Sequence, residues 1–403
     1  MTRGVPTVTG YLYPWDLLGD QEAAADVAAV GVDRVALAAS YHSVRAATPR
    51  HPHRRVVDAH GAALYVPVEN RAWTGQALVP RDAAEWTGTD NSFAAGARSL
   101  RTAGLEVDAW TVLTHSTYLG RANPGFCVQN AFGEVYSYAL CPSHPEVRGY
   151  ARTVVNQVLE LGKPDGLVLE AVGALGFGHQ NMHEKTDGAD YGTAVRNLLS
   201  LCFCGACVQE YTARGLAAEE LSALVRDSIR RAQREPDPAD ATTDGGPAGR
   251  DTDAFGSLLE CRWDAAAALL EGALAEARSH GISRIVVDTD PDPWSTGPFL
   301  AAQAMERVQH RDGSVVSVLQ GWGSPVESIR KLEASRETAA GAGKYGAYVL
   351  TLPPKEASAG QWAQDWRQLR DAGYEELHVY HLGLASDTRR LALTEALRAI
   401  RES

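Results

Sequence analysis

The chain of 403 residues predicts a single (β/α)₈ TIM barrel running through residues 1–403. Three observations predict it. Eight short apolar runs alternate with long Ala-, Leu- and Arg-rich helical stretches, the rhythm of βα units around a parallel sheet. Most of those runs lack polar alternation, as strands buried on both faces do. No Gly-x-Gly-x-x-Gly follows the first run, and no lysine-bearing phosphate loop appears. That weighs against a doubly wound open sheet, the runner-up architecture.

The runs expected to form strands are Val8–Tyr13, Arg34–Ser40, Glu106–Thr114, Gly166–Glu170, Arg284–Asp288, Val315–Leu319, Ala347–Leu350 and Glu376–Tyr380. Helical stripes separate most of them. Between Pro145 and Leu161, apolar residues recur at Val147, Tyr150, Val154 and Val158, one face of a helix. Ser143-His-Pro-Glu146 and Ser324-Pro-Val-Glu327 read as capping boxes at two helix starts. Two segments exceed a minimal barrel. Residues 41–92 form a loop insertion with a further strand expected near Ala63–Val68. Residues 171–280 form a second insertion with a cysteine cluster and several helices, and its Pro-, Asp- and Gly-rich stretch 235–253 reads as a flexible exposed loop. A barrel places its site at the C-terminal ends of its strands, so both insertions are expected to cover it.

Composition narrows the function. Hydrophobic residues make up 45 % and the formal charge is −12, which argues against a general nucleic-acid surface or a polybasic membrane patch. No run of apolar residues is long enough for a membrane span. The first residues lack the pattern of a secretory signal, so a cytoplasmic location is expected. Six cysteines are too few for a disulfide framework. Long outer helices are compatible with a homo-oligomer, but nothing specifies an interface.

Cys202-Phe-Cys204-Gly-Ala-Cys207 places three thiols within six positions. Such a group suits a soft tetrahedral metal, of which zinc is the commonest, and four thiolates would make the site closed and structural. The fourth ligand is Cys141 or Cys127, both after the third strand, with Cys141 favoured because it precedes a helix start. The alternative is a set of free core thiols, as expected for Cys261.

The fourth strand ends in Glu170 and the fifth in Asp288, followed by Asp290. Neighbouring carboxyls in a barrel mouth would be partly desolvated, which suits acid–base work on a glycosidic bond. Glu170 is expected to be the general acid and Asp288 the second carboxylate. Tyr11, Tyr13, Trp15, Tyr41, His42, His115, Gln320, Trp322, Tyr380 and His381 all fall at strand ends. Aromatic rings stack on sugar faces, and the polar groups hydrogen-bond hydroxyls. His179 and His183 follow Glu170; substrate contact is expected there in preference to metal binding. The expected ligand is therefore a carbohydrate, with zinc and no organic cofactor. The rivals are a sugar isomerase, epimerase or lyase on the same barrel, and a non-catalytic glycan-binding barrel.

Leu140-Cys141-Pro142-Ser143, Pro164-Asp165-Gly166-Leu-Val-Leu-Glu170 and the Cys202–Cys207 cluster together resemble the zinc-bearing β-galactosidases of glycoside hydrolase family 42, over positions 140–207. The resemblance implies a (β/α)₈ barrel, Glu170 as the strand-four acid/base, and Cys141, Cys202, Cys204 and Cys207 as zinc ligands. Two departures stand out. Leu169 precedes Glu170 where the family carries Asn. The seventh strand runs Tyr348-Val-Leu-Thr-Leu-Pro-Pro354, without the family's nucleophilic Glu.

Overall fold

A computed structural model describes residues 4–179, 185–234, 252–308, 314–338 and 343–403. Its centre is a closed barrel of eight parallel strands: β1 Thr7–Leu12, β2 Arg34–Tyr41, β3 Glu106–Val112, β4 Gly166–Glu170, β5 Ile285–Asp290, β6 Val315–Gln320, β7 Lys344–Leu350 and β8 Glu376–Tyr380. The order follows the chain, and β1 closes the ring by pairing in parallel with both β8 and β2. All eight lie on the apolar runs read from the sequence.

Outer helices include Ser92–Thr102, Pro145–Gly162, Pro325–Thr338, Ala359–Ala372 and Asp387–Arg401. The Ser324 start is capped as expected: Glu327 N donates to Ser324 Oγ, and Glu327 Oε2 accepts from Ser324 N at 2.7 Å. The Ser143 start is not. His144 is the N-cap and makes no side-chain cap bond, while Ser143 Oγ lies 3.1 Å from Cys207 Sγ. The thiol cluster has taken the hydroxyl that a cap would use.

After β2 the chain forms a hairpin, Val44–Ala47 with Val56–Ala59, and a short strand, Ala63–Leu64, that pairs antiparallel with Ser40 and Tyr41. A second hairpin, Cys127–Gln129 with Val135–Leu140, follows β3. After β4 come the helices Thr193–Leu199, Gly205–Ala213, Ala218–Arg234 and Thr252–Ser279. Residues 235–251 of the expected loop, and His183, lie outside the described residues; Thr252 and Asp253, expected in that loop, instead open a helix.

The barrel interior is polar at its N-terminal end. Arg34 Nε and Nη2 donate to Asp108 at 3.0 and 2.6 Å, and Arg284 Nε donates to the same carboxylate at 3.2 Å. Arg284 also grips Glu376 with two bonds of 2.7 and 2.6 Å. His378 links Glu376 (3.0 Å) to the Tyr11 hydroxyl (3.2 Å). Burial would raise the Glu376 carboxyl, but Arg284 and His378 hydrogen-bond it and hold it well below the usual carboxylate range. Two glycines make room for this layer. A Cβ on Gly166 would strike the Asp108 carboxylate, and one on Gly346 would sit 2.9 Å from Val318 Cγ2 and 3.0 Å from His378 Cδ2.

Candidate active site and thiolate centre

Glu170 and Asp288 close β4 and approach the end of β5. Leu167, Val168 and Leu169 pair with Ile285, Val286 and Val287, so the next step of the ladder sets Glu170 beside Asp288. Paired strands lie about 4.8 Å apart, and residues at one register step face the same side. Both carboxyls are buried, Glu170 at 9 % exposure and Asp288 at 1 %. Trp110 Nε1 donates to Glu170 Oε2 at 2.6 Å, while Asp288 Oδ1 has no protein partner. Burial pushes Glu170 up to about 7 against the pull of that hydrogen bond. Burial, then the charge of Glu170, pushes Asp288 well above the usual carboxylate range. Two carboxyls so close and so dry hold at least one proton between them at neutral pH.

The backbone beside the pair is unusual. Ala171, directly after Glu170, takes the left-handed conformation at φ 53°. A residue with a Cβ pays about 1–2 kcal/mol for it. The carbonyl of Ala171 accepts from both Thr114 N (3.1 Å) and Thr114 Oγ1 (2.7 Å), which holds the turn.

Aromatic rings surround the carboxyls. Tyr11 meets Trp110 edge-on at 4.9 Å and Tyr348 at 5.0 Å. Trp322, 36 % exposed, lies over Tyr348 at 5.9 Å, and Tyr380 lies 5.7 Å from Tyr348. Tyr13 stacks on Trp15 at 4.5 Å and lies 4.4 Å from the His381 ring. Trp15 is fully buried and also contacts Tyr65. A ladder of rings leads away from Glu170 through Trp110, Tyr41, His42 and His115, at spacings of 4.5, 4.2 and 4.4 Å.

Burial disfavours the charged form of the four histidines His42, His115, His179 and His381. Burial lowers His42 to about 4 and His381 to about 3. Burial also lowers His115 and His179, and His115 is lowered further by His42 and His179. His381 Nδ1 accepts from Gly383 N (3.1 Å) and Leu384 N (3.3 Å), so its proton sits on Nε2, which has no protein partner. Gln320 Oε1 lies 3.4 Å from Lys331 Nζ, itself paired with Asp290 at 2.7 Å. Sequence reading passed over Trp110 and Tyr348. Both look like ordinary strand residues, and their one signal is even spacing from interior positions: Trp110 pairs with Val168, and Tyr348 with Gln320.

Beyond this mouth the thiols of Cys141, Cys202, Cys204 and Cys207 lie within 4.8 Å of one another. Cys141 Sγ is 3.6 Å from Cys207 Sγ and 3.8 Å from Cys202 Sγ. Four sulfurs at about 2.3 Å from a tetrahedral zinc stand about 3.8 Å apart, so this donor set fits that ion. The spacings are far too long for a disulfide. The thiols perturb one another: Cys141, Cys202 and Cys207 pull Cys204 down, while burial and the neighbouring thiols push Cys202 up, and the neighbouring thiols and burial push Cys207 up. Cys127 turns away, its Sγ 3.6 Å from the carbonyl of Gly120, so Cys141 completes the cluster.

No family model matches the chain, and no curated protein matches it in sequence. Solved structures do match in fold. A β-galactosidase from the psychrophilic Marinomonas ef1 superposes with a TM-score of 0.57 at 10 % identity, over 97 % of this chain and 59 % of that one. An exo-β-N-acetylglucosaminidase from Vibrio harveyi gives 0.44 at 6 %, over 98 % and 54 %. A D-psicose 3-epimerase from Clostridium cellulolyticum H10 gives 0.40 at 9 %, over 98 % and 96 %. The chain thus spans about 59 % of the β-galactosidase it resembles. At 10 % identity the likeness to the β-galactosidase is one of fold, the closed eight-stranded parallel barrel. Among the described residues, no helix is long and apolar enough to cross a membrane.

Proposed function

We propose that the protein is a carbohydrate-active enzyme, glycoside-hydrolase-like, in which Glu170 and Asp288 work as one acid–base dyad on a glycosidic bond. The observation that carries this reading is a set of buried polar atoms without protein partners in the barrel mouth: Asp288 Oδ1 within the dyad, and His381 Nε2 and His115 Nε2 at the strand ends around it. Buried polar atoms in folded proteins are nearly always hydrogen-bonded. A group of orphans at the barrel mouth is what a hydroxyl-rich ligand would satisfy, with Trp322 and Tyr348 as a stacking face.

The hydrogen bonds bear on the roles within the dyad. The Trp110 N–H favours the ionised form of Glu170, whereas Asp288 Oδ1 has no donor. At rest the proton therefore belongs on Asp288, and Glu170, poised near neutrality, accepts or returns one during the reaction. The strand register supports a short separation between the two carboxyls, so that a proton can be shared within the pair. The four cysteines would hold a divalent ion, zinc by donor type, as a closed structural centre.

One observation favours sugar isomerisation or epimerisation instead. β7, Lys344–Leu350, ends without a carboxylate, whereas the hydrolases of the resembled family end this strand in a nucleophilic Glu. One experiment separates the readings. The protein is incubated with a panel of aryl glycosides and, separately, with free aldoses and ketoses, and the products are resolved. Aglycone release that disappears in Glu170→Gln supports hydrolysis. Interconversion of free sugars without bond cleavage supports the second reading. No turnover of either set removes the enzyme claim.

A further inference from the structure

The thiolate centre carries surplus charge. Four thiolates around a divalent ion leave two negative charges in a region walled by buried side chains, and such charge is costly without a nearby cation. The helix Thr252–Ser279 brings one. Arg262 lines the same small cavity as Cys141, Cys202, Cys207 and Cys261. Its Nη1 donates to the carbonyl of Trp294 at 3.3 Å, and its guanidinium lies 5.8 Å from the Trp294 ring centroid. Its Nη2 is buried and has no hydrogen-bond partner. Cys202 and Cys207 both lie within electrostatic reach of the guanidinium. Asp292 does too, but its Oδ1 accepts from Trp294 N at 2.9 Å, and no ion pair joins it to Arg262 among the described residues.

We propose that Arg262 is the counter-ion of the thiolate centre: its buried guanidinium offsets the charge of the metal-loaded cluster, and so ties the helix Thr252–Ser279 to the loops that follow β3 and β4. The inference rests on the reading of the four cysteines as a metal site. It explains why a guanidinium is held in this wall with one nitrogen unpaired. A buried cation beside a thiolate cluster offsets its charge through space, and outer-shell groups commonly control metal affinity.

The test is zinc affinity, measured by competition with a chromophoric chelator on the purified full chain. Wild type is compared with Arg262→Met, Arg262→Lys and Arg262→Gln, and with Arg307→Met as a control. Arg307 also lies against this helix, where it pairs with Asp264, but it does not line the cavity. The expected result is one zinc per chain, about 10–100-fold weaker in Arg262→Met and Arg262→Gln. Arg262→Lys and Arg307→Met should stay near wild type. Should Arg262→Met fail to fold, the contrast between Lys and Gln carries the same question. Equal affinity across all variants overturns the counter-ion assignment while leaving the metal site standing. A wild-type chain that takes up no zinc overturns the metal reading itself.

Discussion

Trp110 Nε1 donates to Glu170 Oε2 at 2.6 Å, across neighbouring strands of the barrel. The bond ties the buried, upward-shifted carboxyl pair to the aromatic ladder that leads out through Tyr41, His42 and His115. It also breaks the symmetry of the pair, since Asp288 has no such donor.

Removing that donor should move the titration of Glu170 upward. A hydrogen bond to a charged group contributes about 1.5–3 kcal/mol, or roughly one to two pKa units. Trp110→Phe keeps a ring in place and loses the N–H. Carboxyl-carbon NMR of labelled protein should show Glu170 titrating above its wild-type value of about 7. An unchanged midpoint would mean that the bond does not set the ionisation.

The raised carboxyl also costs stability, with a definite sign. Glu170 titrates near 4.5 when unfolded and near 7 when folded, so its native state prefers the protonated form. Stability from this group is fully present below pH 4.5, declines as pH rises to about 7, and is flat above. Glu170→Gln never ionises. It should be more stable than wild type at pH 8, by an upper limit of roughly 3 kcal/mol, and the gain should shrink towards pH 5. Urea denaturation at the two pH values measures it; equal gains at both would refute the burial argument.

At the opposite end of the barrel, Arg284 bonds both Asp108 and Glu376. Arg284→Met would leave Glu376 without its main partner and weaken the hold on Asp108, which is 0 % exposed. Breaking a buried pair from one side costs about 3–5 kcal/mol. A loss under about 1 kcal/mol, the worth of a surface pair, would show that water reaches this layer.

The strands were legible because the barrel hides both faces of each, leaving unbroken apolar runs such as Leu167-Val-Leu169 and Ile285-Val-Val287. The carboxyls were legible because they end those runs. The charged floor was not. Arg34, Asp108, Arg284 and Glu376 are far apart in the chain, and each looks like a strand-edge charge until the ring closes and brings them together. Trp110 was hidden for a related reason: a Trp in an apolar strand reads as core, and only the register shows that its N–H reaches the next strand. The three-cysteine motif was plain in sequence, whereas the choice between Cys141 and Cys127 needed the hairpin Cys127–Gln129 with Val135–Leu140, which turns Cys127 towards Gly120.

Metal at the cysteines should stabilise the fold. A ligand that binds only the native state raises the melting temperature. Zinc-loaded wild type should melt several degrees higher than protein treated with chelator. Cys204→Ser should bind zinc weakly and show little response to chelation. A wild-type melting curve that ignores both zinc and chelator would speak against a structural centre.

The dyad is tested most directly by the rates of Glu170→Gln, Asp288→Asn and the double variant on whichever glycoside the wild type cleaves fastest. Groups that act as a unit lose activity together. Each single variant should therefore fall by about 10²–10⁴-fold, and the double variant should fall little further than the worse single one. Full activity in either single variant, or losses that simply multiply in the double, would contradict a shared acid–base pair.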